Sequence, residues 1–472
     1  MAISKNRQRI KYIVSDFIIA NISWLLLNIY RFNLIACFQF PDIRSYLLSE
    51  REIQIQILVP LLWLGIYYYS GYYNSPVHRS RLQELKSTLL SVEIGTLIVF
   101  FVAIMNDLPY KYSIFYKLIA AMFCIQFVLT YSMRAIITQR MMSKVHSRQF
   151  GEKTIIIGAG KRAQQLEEEL KNYPMGVGCL IEGFVDIQQE PRTIEDERIL
   201  GTWTDVEQII NEKGIESIIV APDSRDERKL FDLLNGLYKY NLPIRVIAGK
   251  YSILSRAVKM SSVYASPMIQ LTGDNMSEGQ KNIKKTLDIL GALFFLILLS
   301  PLFLYLIYRI KREEKGSVFY RQERIGYRGR AFTIIKFRTM NTRAEEDGVP
   351  LLSSDDDERI TPLGRIMRKY RLDELPQFWN ILKGEMSFVG PRPERKYFVD
   401  KIIEKAPYYC LIYGVKPGLT SWATVKNGYA NTMDKMIERL KYDIIYLESR
   451  SLTVDIKILF YTVKTILAGQ GI

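Results

Sequence analysis

The chain has 472 residues, 48% of them hydrophobic, with 64 Lys+Arg against 49 Asp+Glu and a formal net charge of +15. That length exceeds one ordinary domain, and a mean hydropathy of +0.00 averages very apolar stretches with very charged ones, as in a membrane protein carrying soluble parts. The basic excess suits an anionic bilayer surface; no nucleic-acid module accompanies it, and the four scattered cysteines (Cys37, Cys124, Cys179, Cys410) lack CxxC spacing and read as free buried thiols, not as a disulfide framework or zinc site.

Lys5, Arg7, Arg9 and Lys11 precede an apolar run over residues 12–30 that only Asp16 interrupts. No small-residue cleavage site follows, so the run reads as a retained helix, not a signal peptide. A second uncharged run covers residues 53–73, and its end, YYYSGYY, fits an interfacial aromatic belt. A third covers 89–105 and contains Glu93; a fourth covers 118–133. Each approaches the length that crosses a hydrocarbon core of about 30 Å. Basic residues gather before the first run, between the second and third (Arg79, Arg81, Lys86) and after the fourth (Arg134, Arg140, Lys144, Arg148). Cytoplasmic loops carry such an excess, so residues 1–150 read as a four-helix transmembrane bundle with both ends in the cytoplasm. Asp16 and Glu93 lie near the cytoplasmic ends, and a structural role is expected of them.

From residue 151 the pattern turns to α/β. KTIIIGAGKRA is a strand, a glycine turn and a helix start, with Gly158, Gly160 and Ala163 at G-x-G-x-x-A spacing. Small residues there let backbone amides approach a phosphate at a helix N-terminus. Asp186, ending GFVD, stands roughly where a ribose-binding acid would. Further strands at 217–221 and 243–248, with helices around 205–213 and 227–240, make residues 151–250 a small Rossmann-like domain with a weak nucleotide signal. Residues 251–282 read as a polar linker with some strand character.

Residues 289–308 are uncharged and long enough to span. Both flanks are basic, however: Lys281, Lys284 and Lys285 before, Arg309, Lys311 and Arg312 after. A crossing would put one cluster on the disfavoured side. Pro301 removes a backbone hydrogen bond to the Ile297 carbonyl, and the Ser300 hydroxyl can satisfy a freed carbonyl where no water is at hand. The segment is therefore expected to enter and return on the cytoplasmic face, a re-entrant helix over residues 283–310.

SVFYRQERIGYRGRAFTIIKFRTM alternates as a hairpin turning at residues 327–330, with Lys336 and Arg338 two apart and so on one face. Two cations on one face suit a diphosphate. The acid run over 355–358 reads as a solvated loop. Arg365, Arg368 and Arg371 then recur at helical spacing and lead into RLDELPQFWNILKGEMSFVGPRP. This stretch begins with the acid pair Asp373-Glu374 and ends in the rigid turn Gly390-Pro391-Arg392-Pro393. Neighbouring carboxylates followed by a fixed guanidinium suit a metal-bound phosphate: one acid can attack, the other can hold a divalent cation, and the arginine can pair with anionic oxygens. Residues 397–413 and 454–467 look amphipathic and interfacial, the latter with Lys457 and Lys464 on one face.

RLDELPQFWN, GEMSFVGPRP, KFRTM and VKPGLTSWATV, in the order they occupy here, resemble the bacterial sugar transferase family, the polyprenyl-phosphate phosphoglycosyl transferases. The resemblance covers residues 283–472. Departures stand at Glu385, where the family often has Asp, at Ser421, where Gly is frequent, and at Arg450, where Trp is usual; they bear on substrate choice more than on reaction type. The N-terminal extension resembles that of the large members, which implies a membrane helical bundle, an α/β Rossmann-like (CoA-binding-like) domain concerned with assembly or regulation, and an α+β monotopic catalytic domain over 283–472 with a re-entrant helix.

The resemblance further implies transfer of sugar-1-phosphate from a UDP-sugar to undecaprenyl phosphate with release of UMP, the first membrane step of exopolysaccharide, capsule or O-antigen synthesis. Asp373 would be the nucleophile, forming a covalent phosphosugar, and Glu374 the Mg²⁺ ligand. Pro391-Arg392 would meet the nucleotide, and Lys336, Arg338 and Arg371 would hold phosphate oxygens. The expected setting is the cytoplasmic face of the bacterial inner membrane, as a homodimer seated in the lipid bilayer, with no nucleic acid as partner. Two alternatives stand beside it. A membrane-bound nucleotide-sugar dehydratase needs a Y-x-x-x-K pair, which Tyr397 and Lys401 match in spacing, but also a second glycine-rich nucleotide fold, which the C-terminal half lacks. A non-catalytic scaffold of polysaccharide export has no need of the acid pair and arginine loop. The sugar itself is not legible.

Overall fold

The apolar runs lie within long helices of 19 to 34 residues in the first of two compact units of this computed structural model. The structure describes residues 5–74, 81–105, 111–147, 151–172, 178–188, 191–224, 226–240, 242–247, 268–270, 276–313, 315–341, 357–427 and 432–469. The first unit comprises Met1–Gly151 with Pro174–Gly178 and Ser277–Ile283. Its helices are α1 (Lys5–Leu34), the short α2 (Ile43–Leu47), α3 (Glu50–Tyr69), α4 (Arg81–Val99), which continues as a π-helix over Phe100–Ile104, and α5 (Ser113–His146). Trp24, Leu27, Trp63, Tyr67, Val92 and Leu118 fill the space between them.

Three of the described helices, over Asn6–Leu34, Arg81–Ile104 and Ser113–Val145, are long and apolar enough to cross a membrane. The second expected span, over residues 53–73, differs. Its helix, α3, ends at Tyr69 and is not among them, because Gln54, Gln56 and three terminal tyrosines dilute its apolar run. Asp16 is structural, as its position suggests: Arg134 donates to it from Nε at 3.0 Å and Nη2 at 2.6 Å, and the Tyr73 hydroxyl at 2.9 Å. Arg134, counted in the sequence as a cytoplasmic surface charge, is thus a buried partner. Glu93 is exposed on α4. Arg79 and Arg148 lie outside the described residues. Asn282 donates to the Tyr68 carbonyl oxygen at 2.7 Å, and Asn74 to Glu278 at 2.9 Å. Gly71, at φ +79°, permits this approach: a Cβ there would lie 2.5 Å from the Gly279 nitrogen.

The second unit holds the α/β sheet and everything from Lys284 on. Strands β1 (Glu152–Ile157), β2 (Cys179–Asp186), β3 (Ile199–Thr202), β4 (Ser217–Val220) and β5 (Ile244–Ile247) pair in parallel. Helices α6 (Lys161–Asn172), α7 (Val206–Lys213) and α8 (Glu227–Leu237) lie between them in sequence. Ile155–Ile157 of β1 and Ile218–Val220 of β4 are consecutive buried aliphatics, as strands covered on both faces require. The order is β3-β2-β1-β4-β5-β6, in which β6 (Met268–Gln270) adds an antiparallel edge. That strand belongs to the segment expected to be linker; residues 251–267 lie outside the described ones.

The remainder begins with α9 (Glu278–Leu298) and α10 (Ser300–Glu313), bent by 61° at their junction. The hairpin β7 (Phe319–Ile325) and β8 (Ala331–Phe337) follows, its turn a 3-10 helix over Tyr327–Gly329. Then come α11 (Pro362–Lys369), α12 (Phe378–Leu382), β9 (Ser387–Val389) and α13 (Lys396–Lys405). β10 (Gly418–Thr420) pairs in parallel with β9, and α14 (Trp422–Asn427), α15 (Met433–Ser449) and α16 (Leu452–Leu467) close the chain.

At the bend the Ser300 hydroxyl donates to the Ile297 carbonyl oxygen at 2.7 Å, the acceptor that Pro301 leaves without its amide. Phe295 stacks on Phe378 and meets Phe388, while Leu306 and Ile310 pack with Phe337 and Met367. Leu290, Phe294, Ile297, Leu298 and Leu304 remain exposed. On α16, Ile456, Phe460, Val463 and Leu467 are exposed too, the apolar face expected of an interfacial helix. Lys284, read as a basic flank, is instead buried against Asp455 at 2.6 Å.

The other segment expected at an interface is core. Phe398, Val399 and Ile402 of α13, with Tyr409, Cys410 and Ile412 of the following 3-10 helix (Pro407–Gly414), share one cluster with the α/β sheet. Phe231 meets Tyr408, Tyr238 meets Tyr413, and Asn235 donates to the Pro407 carbonyl oxygen at 2.9 Å. Its apolar stripe found a protein partner. The four cysteines are free, but only Cys410 is buried; Cys37 and Cys124 are exposed.

Candidate active site

Thr361 caps α11 by accepting from the Gly364 amide at 3.0 Å, with Pro362 in the first turn. Gly364 packs on β8's end, where a Cβ would lie 2.2 Å from the Thr339 carbonyl oxygen. Arg371 then takes left-handed angles, φ 53° and ψ 28°, which end the helix and start a 3-10 turn over Leu372–Gln377. Few non-glycine residues adopt that conformation, and it places Asp373 and Glu374 in the interior, 8% and 6% exposed.

Three cations converge on the pair. Lys336 Nζ donates to Glu374 Oε1 at 2.7 Å and lies 4.0 Å from Asp373 Oδ2. Arg392 Nη2 donates to the same Glu374 oxygen at 2.8 Å, and Arg371 Nη1 is 3.6 Å from Oε2. The arginine loop is fixed from behind. The Gly390 amide donates to the Thr420 carbonyl oxygen at 3.0 Å and the Gly418 amide to that of Pro391 at 2.9 Å. Pro391 is buried there and turns Arg392 toward the acids.

The two acids differ electrostatically. Burial raises both, but at Glu374 the opposing charges of Arg392, Lys336 and Arg371 prevail and hold it well below the usual carboxylate range. At Asp373 burial prevails over Lys336, with Glu374 adding to it, and its carboxyl is raised. One acid is thus an anchored anion, and its neighbour is the less compensated and more basic one. Three cations against two carboxylates leave positive charge for an incoming phosphate.

Asp373, Glu374, Lys336, Arg371, Pro391 and Arg392 therefore meet. Arg338 follows another course: the strand ends at Phe337, and Arg338 Nη1 reaches the Lys315 carbonyl oxygen at 3.5 Å. Of the arginine stripe, Arg368 Nε bonds Thr339 Oγ1 at 3.0 Å and Arg365 is exposed. Asp357, expected in a solvated loop, is buried and paired with Arg359 at 2.6 Å; Asp355 and Asp356 lie outside the described residues. Tyr397 and Lys401 bond each other at 2.6 Å on exposed positions of α13. The residues that sequence reading missed are Arg324, Glu394 and Arg439, a buried pairing from three separate elements.

In the α/β sheet the glycine motif serves a different anion. Gly158 has φ +118°, and Ala163 is buried. The amides of Lys161 and Arg162, at the start of α6, donate to the Asp223 carboxylate at 2.9 and 2.7 Å. A Cβ at Gly160 would meet that carboxylate at 2.2 Å. The position a phosphate would take is filled from within the chain. Asp186, likewise, accepts from Arg192 Nε at 2.7 Å and the Gln188 amide at 2.9 Å.

Among the described residues no three His, Cys, Asp or Glu side chains gather as a metal site. The acid pair alone offers carboxylates, which fits Mg²⁺ in the mode that uses one or two carboxylates and completes its shell with substrate phosphates and water.

The family model described as bacterial sugar transferase matches residues 279–469, and one described as a CoA-binding domain matches residues 69–248. The chain is 43% identical over 189 residues to a UDP-N-acetylgalactosamine-undecaprenyl-phosphate N-acetylgalactosaminephosphotransferase of Aeromonas hydrophila, covering 40% of this chain and 44% of the relative. It is 32% identical to a UDP-glucose:undecaprenyl-phosphate glucose-1-phosphate transferase of Klebsiella pneumoniae, over 55% and 56%. It is 31% identical to an undecaprenyl-phosphate galactose phosphotransferase of Salmonella typhimurium, over 68% and 69%. The chain spans about half the length of the first two of these relatives.

Proposed function

This chain belongs to the bacterial sugar transferase family, and on that premise we propose that it moves sugar-1-phosphate from a UDP-sugar to undecaprenyl phosphate, releasing UMP, through a covalent Asp373 intermediate. The observation that carries the reading is the buried acid pair ringed by Lys336, Arg371 and Arg392. Glu374 is held as an anion, so Asp373 is the carboxylate left to attack.

In the first step an Asp373 oxygen bonds the sugar-bearing phosphorus, and the bridging P–O bond breaks with its electron pair leaving on UMP. In the second, an oxygen of undecaprenyl phosphate attacks the same phosphorus and the carboxylate is regenerated. An acyl phosphate is about as reactive as the anhydride it replaces, so neither step runs far uphill. Lys336 and Arg371 neutralise phosphate oxygens that Asp373 must approach, and Arg392 takes the nucleotide's phosphate. Glu374 would hold Mg²⁺, which when bound neutralises the diphosphate and the departing UMP.

The bent pair α9–α10 supplies access to the lipid. Its exposed apolar side chains, the Ser300–Ile297 bond at the bend and basic residues at both ends (Lys281, Lys285; Arg309, Lys311, Arg312) support a helix that enters and leaves one leaflet. The catalytic part then sits at headgroup level on the cytoplasmic face of the inner membrane, where cytosolic nucleotide sugars reach it. A homodimer is part of the same reading. The relatives' names span N-acetylgalactosamine, glucose and galactose. UMP release from a panel of UDP-sugars, with detergent-solubilised protein and undecaprenyl phosphate, tests the function and selects the sugar. Release from none of them would remove it.

A further inference from the structure

Arg392 sits in a stiff segment. Pro391 and Pro393 fix φ on both sides of it, so the direction of its guanidinium depends on where the two ends of the turn are held. The leading end is held by backbone bonds, from Gly390 to Thr420 and from Gly418 to Pro391. The trailing end is held by charge. Glu394, next after Pro393 and 5% exposed, takes Arg324 of β7 at 3.1 Å on Oε2 and Arg439 of α15 on Oε1. Arg324 Nη1 also donates to the Pro393 carbonyl oxygen at 3.3 Å, and the Ile325 amide to that of Glu394 at 2.9 Å, so the end of β7 pairs with the loop. Arg324 Nη2 is itself oriented by Gln322 Oε1 at 2.7 Å.

A buried carboxylate thus lies between two guanidinium groups that come from separate elements. Burial would raise the Glu394 carboxyl, but Arg439, Arg324 and Arg392 prevail and hold it below the usual carboxylate range. Desolvation offsets much of the attraction in such a set, so its contribution to stability is small beside its contribution to geometry. On the catalytic side, Arg392 Nη2 reaches Glu374 at 2.8 Å. The loop therefore carries one guanidinium to the acid pair and, two residues on, one carboxylate into a cationic socket.

We propose that Glu394, seated between Arg324 and Arg439, is a positioning residue for Arg392: it anchors the trailing end of the turn so that the guanidinium stays at the nucleotide's phosphate. Glu394 itself meets no reacting atom. The inference rests on the proposed transfer, in which Arg392 meets the nucleotide and the lipid acceptor arrives after UMP has left. The socket then serves the first half-reaction and leaves the second alone.

Two measurements on the solubilised protein separate positioning from support of the fold. The first is the affinity for UDP with Mg²⁺, by calorimetry. Glu394→Gln keeps the side chain's shape and removes its charge, and affinity should fall at least about tenfold, within the range that a displaced positioning group costs. Arg392→Ala should lose at least as much. Adding Glu394→Gln to Arg392→Ala should change affinity by less than about twofold, since both act through one contact. The second is discharge, by undecaprenyl phosphate, of sugar-phosphate adduct accumulated at high UDP-sugar concentration. Glu394→Gln should discharge within about twofold of the wild-type rate. Losses that add in the double variant, an unchanged UDP affinity in Glu394→Gln, or discharge slowed as much as binding is weakened would each overturn the proposal. Should Glu394→Gln fail to fold, Arg324→Lys, which keeps the charge beside Glu394 and gives up the fixed fork, is read by the same two measures. Wild type that binds UDP but forms no adduct would strike the transfer reading, while the UDP comparison would still decide whether Glu394 positions Arg392.

Discussion

Lys336 Nζ lies 2.7 Å from Glu374 Oε1 and 4.0 Å from Asp373 Oδ2, so one strand residue is the shared counterion of both acids. Its charge lowers each carboxyl against the pull of burial. Lys336→Met keeps much of the side chain's bulk and removes that charge. Both carboxyls should then rise. Since Asp373 attacks only when ionised, the acidic limb of the UMP-release profile should move to higher pH. The rate at its plateau should fall by about 10²-fold, the scale of losing one charge-stabilising donor. A pH–rate profile of wild type and variant checks both. An unmoved acidic limb would mean that Lys336 does not govern the pair.

Arg371 carries two functions that a substitution can separate. Its φ of 53° is costly for a side chain with a Cβ, by about 1 kcal/mol, and its guanidinium stands 3.6 Å from Glu374. Arg371→Gly should therefore leave thermal stability level or slightly raised while UMP release falls at least about tenfold. Arg371→Ala should lose the same activity and also stability. A thermal melt beside an activity assay distinguishes them; equal melting points for the two variants would contradict the backbone part.

Ser300-Pro301 sets the bend. Replacing it by Ala-Leu restores the backbone ladder and removes the kink, leaving a straight apolar segment opposed only by its basic flanks. In a background lacking Cys37 and Cys124, Lys285→Cys and Arg309→Cys should each be protected from an impermeant thiol reagent in intact cells and react after permeabilisation. The Ala-Leu version should show a partly inverted population and lose activity. Labelling of the Lys285→Cys protein but not the Arg309→Cys protein in intact cells would mean that the segment spans.

What was legible in the sequence was local. Pro301 and Ser300 determine their bend within one helical turn, and the hydroxyl bond to Ile297 follows from the amide that proline lacks. Asp373, Glu374, Pro391 and Arg392 lie within twenty residues, and both turns that present them contain proline. Lys336 could be placed on a strand, but where that strand ends depends on packing, so Arg338 was read onto the same face and is not with the acids. Partners far apart in the chain stayed hidden. Arg134 and Lys284 looked like surface cations until Asp16 and Asp455 buried them. An amphipathic stripe does not say whether lipid or protein covers it; residues 397–413 met α8, whereas α16 kept its apolar face exposed. The glycine motif is real as a helix-start geometry, but its anion is Asp223, about sixty residues away.

The central claim is that Asp373 becomes covalently attached to the sugar phosphate. Solubilised protein should be incubated with UDP-sugar labelled in the sugar, with Mg²⁺ and without lipid acceptor, then digested and examined by mass spectrometry. Wild type should carry one sugar-phosphate mass on the peptide containing Asp373, discharged on addition of undecaprenyl phosphate. Asp373→Asn should neither carry it nor release UMP. An adduct on another residue, or an Asp373→Asn protein that still turns over, would contradict the account.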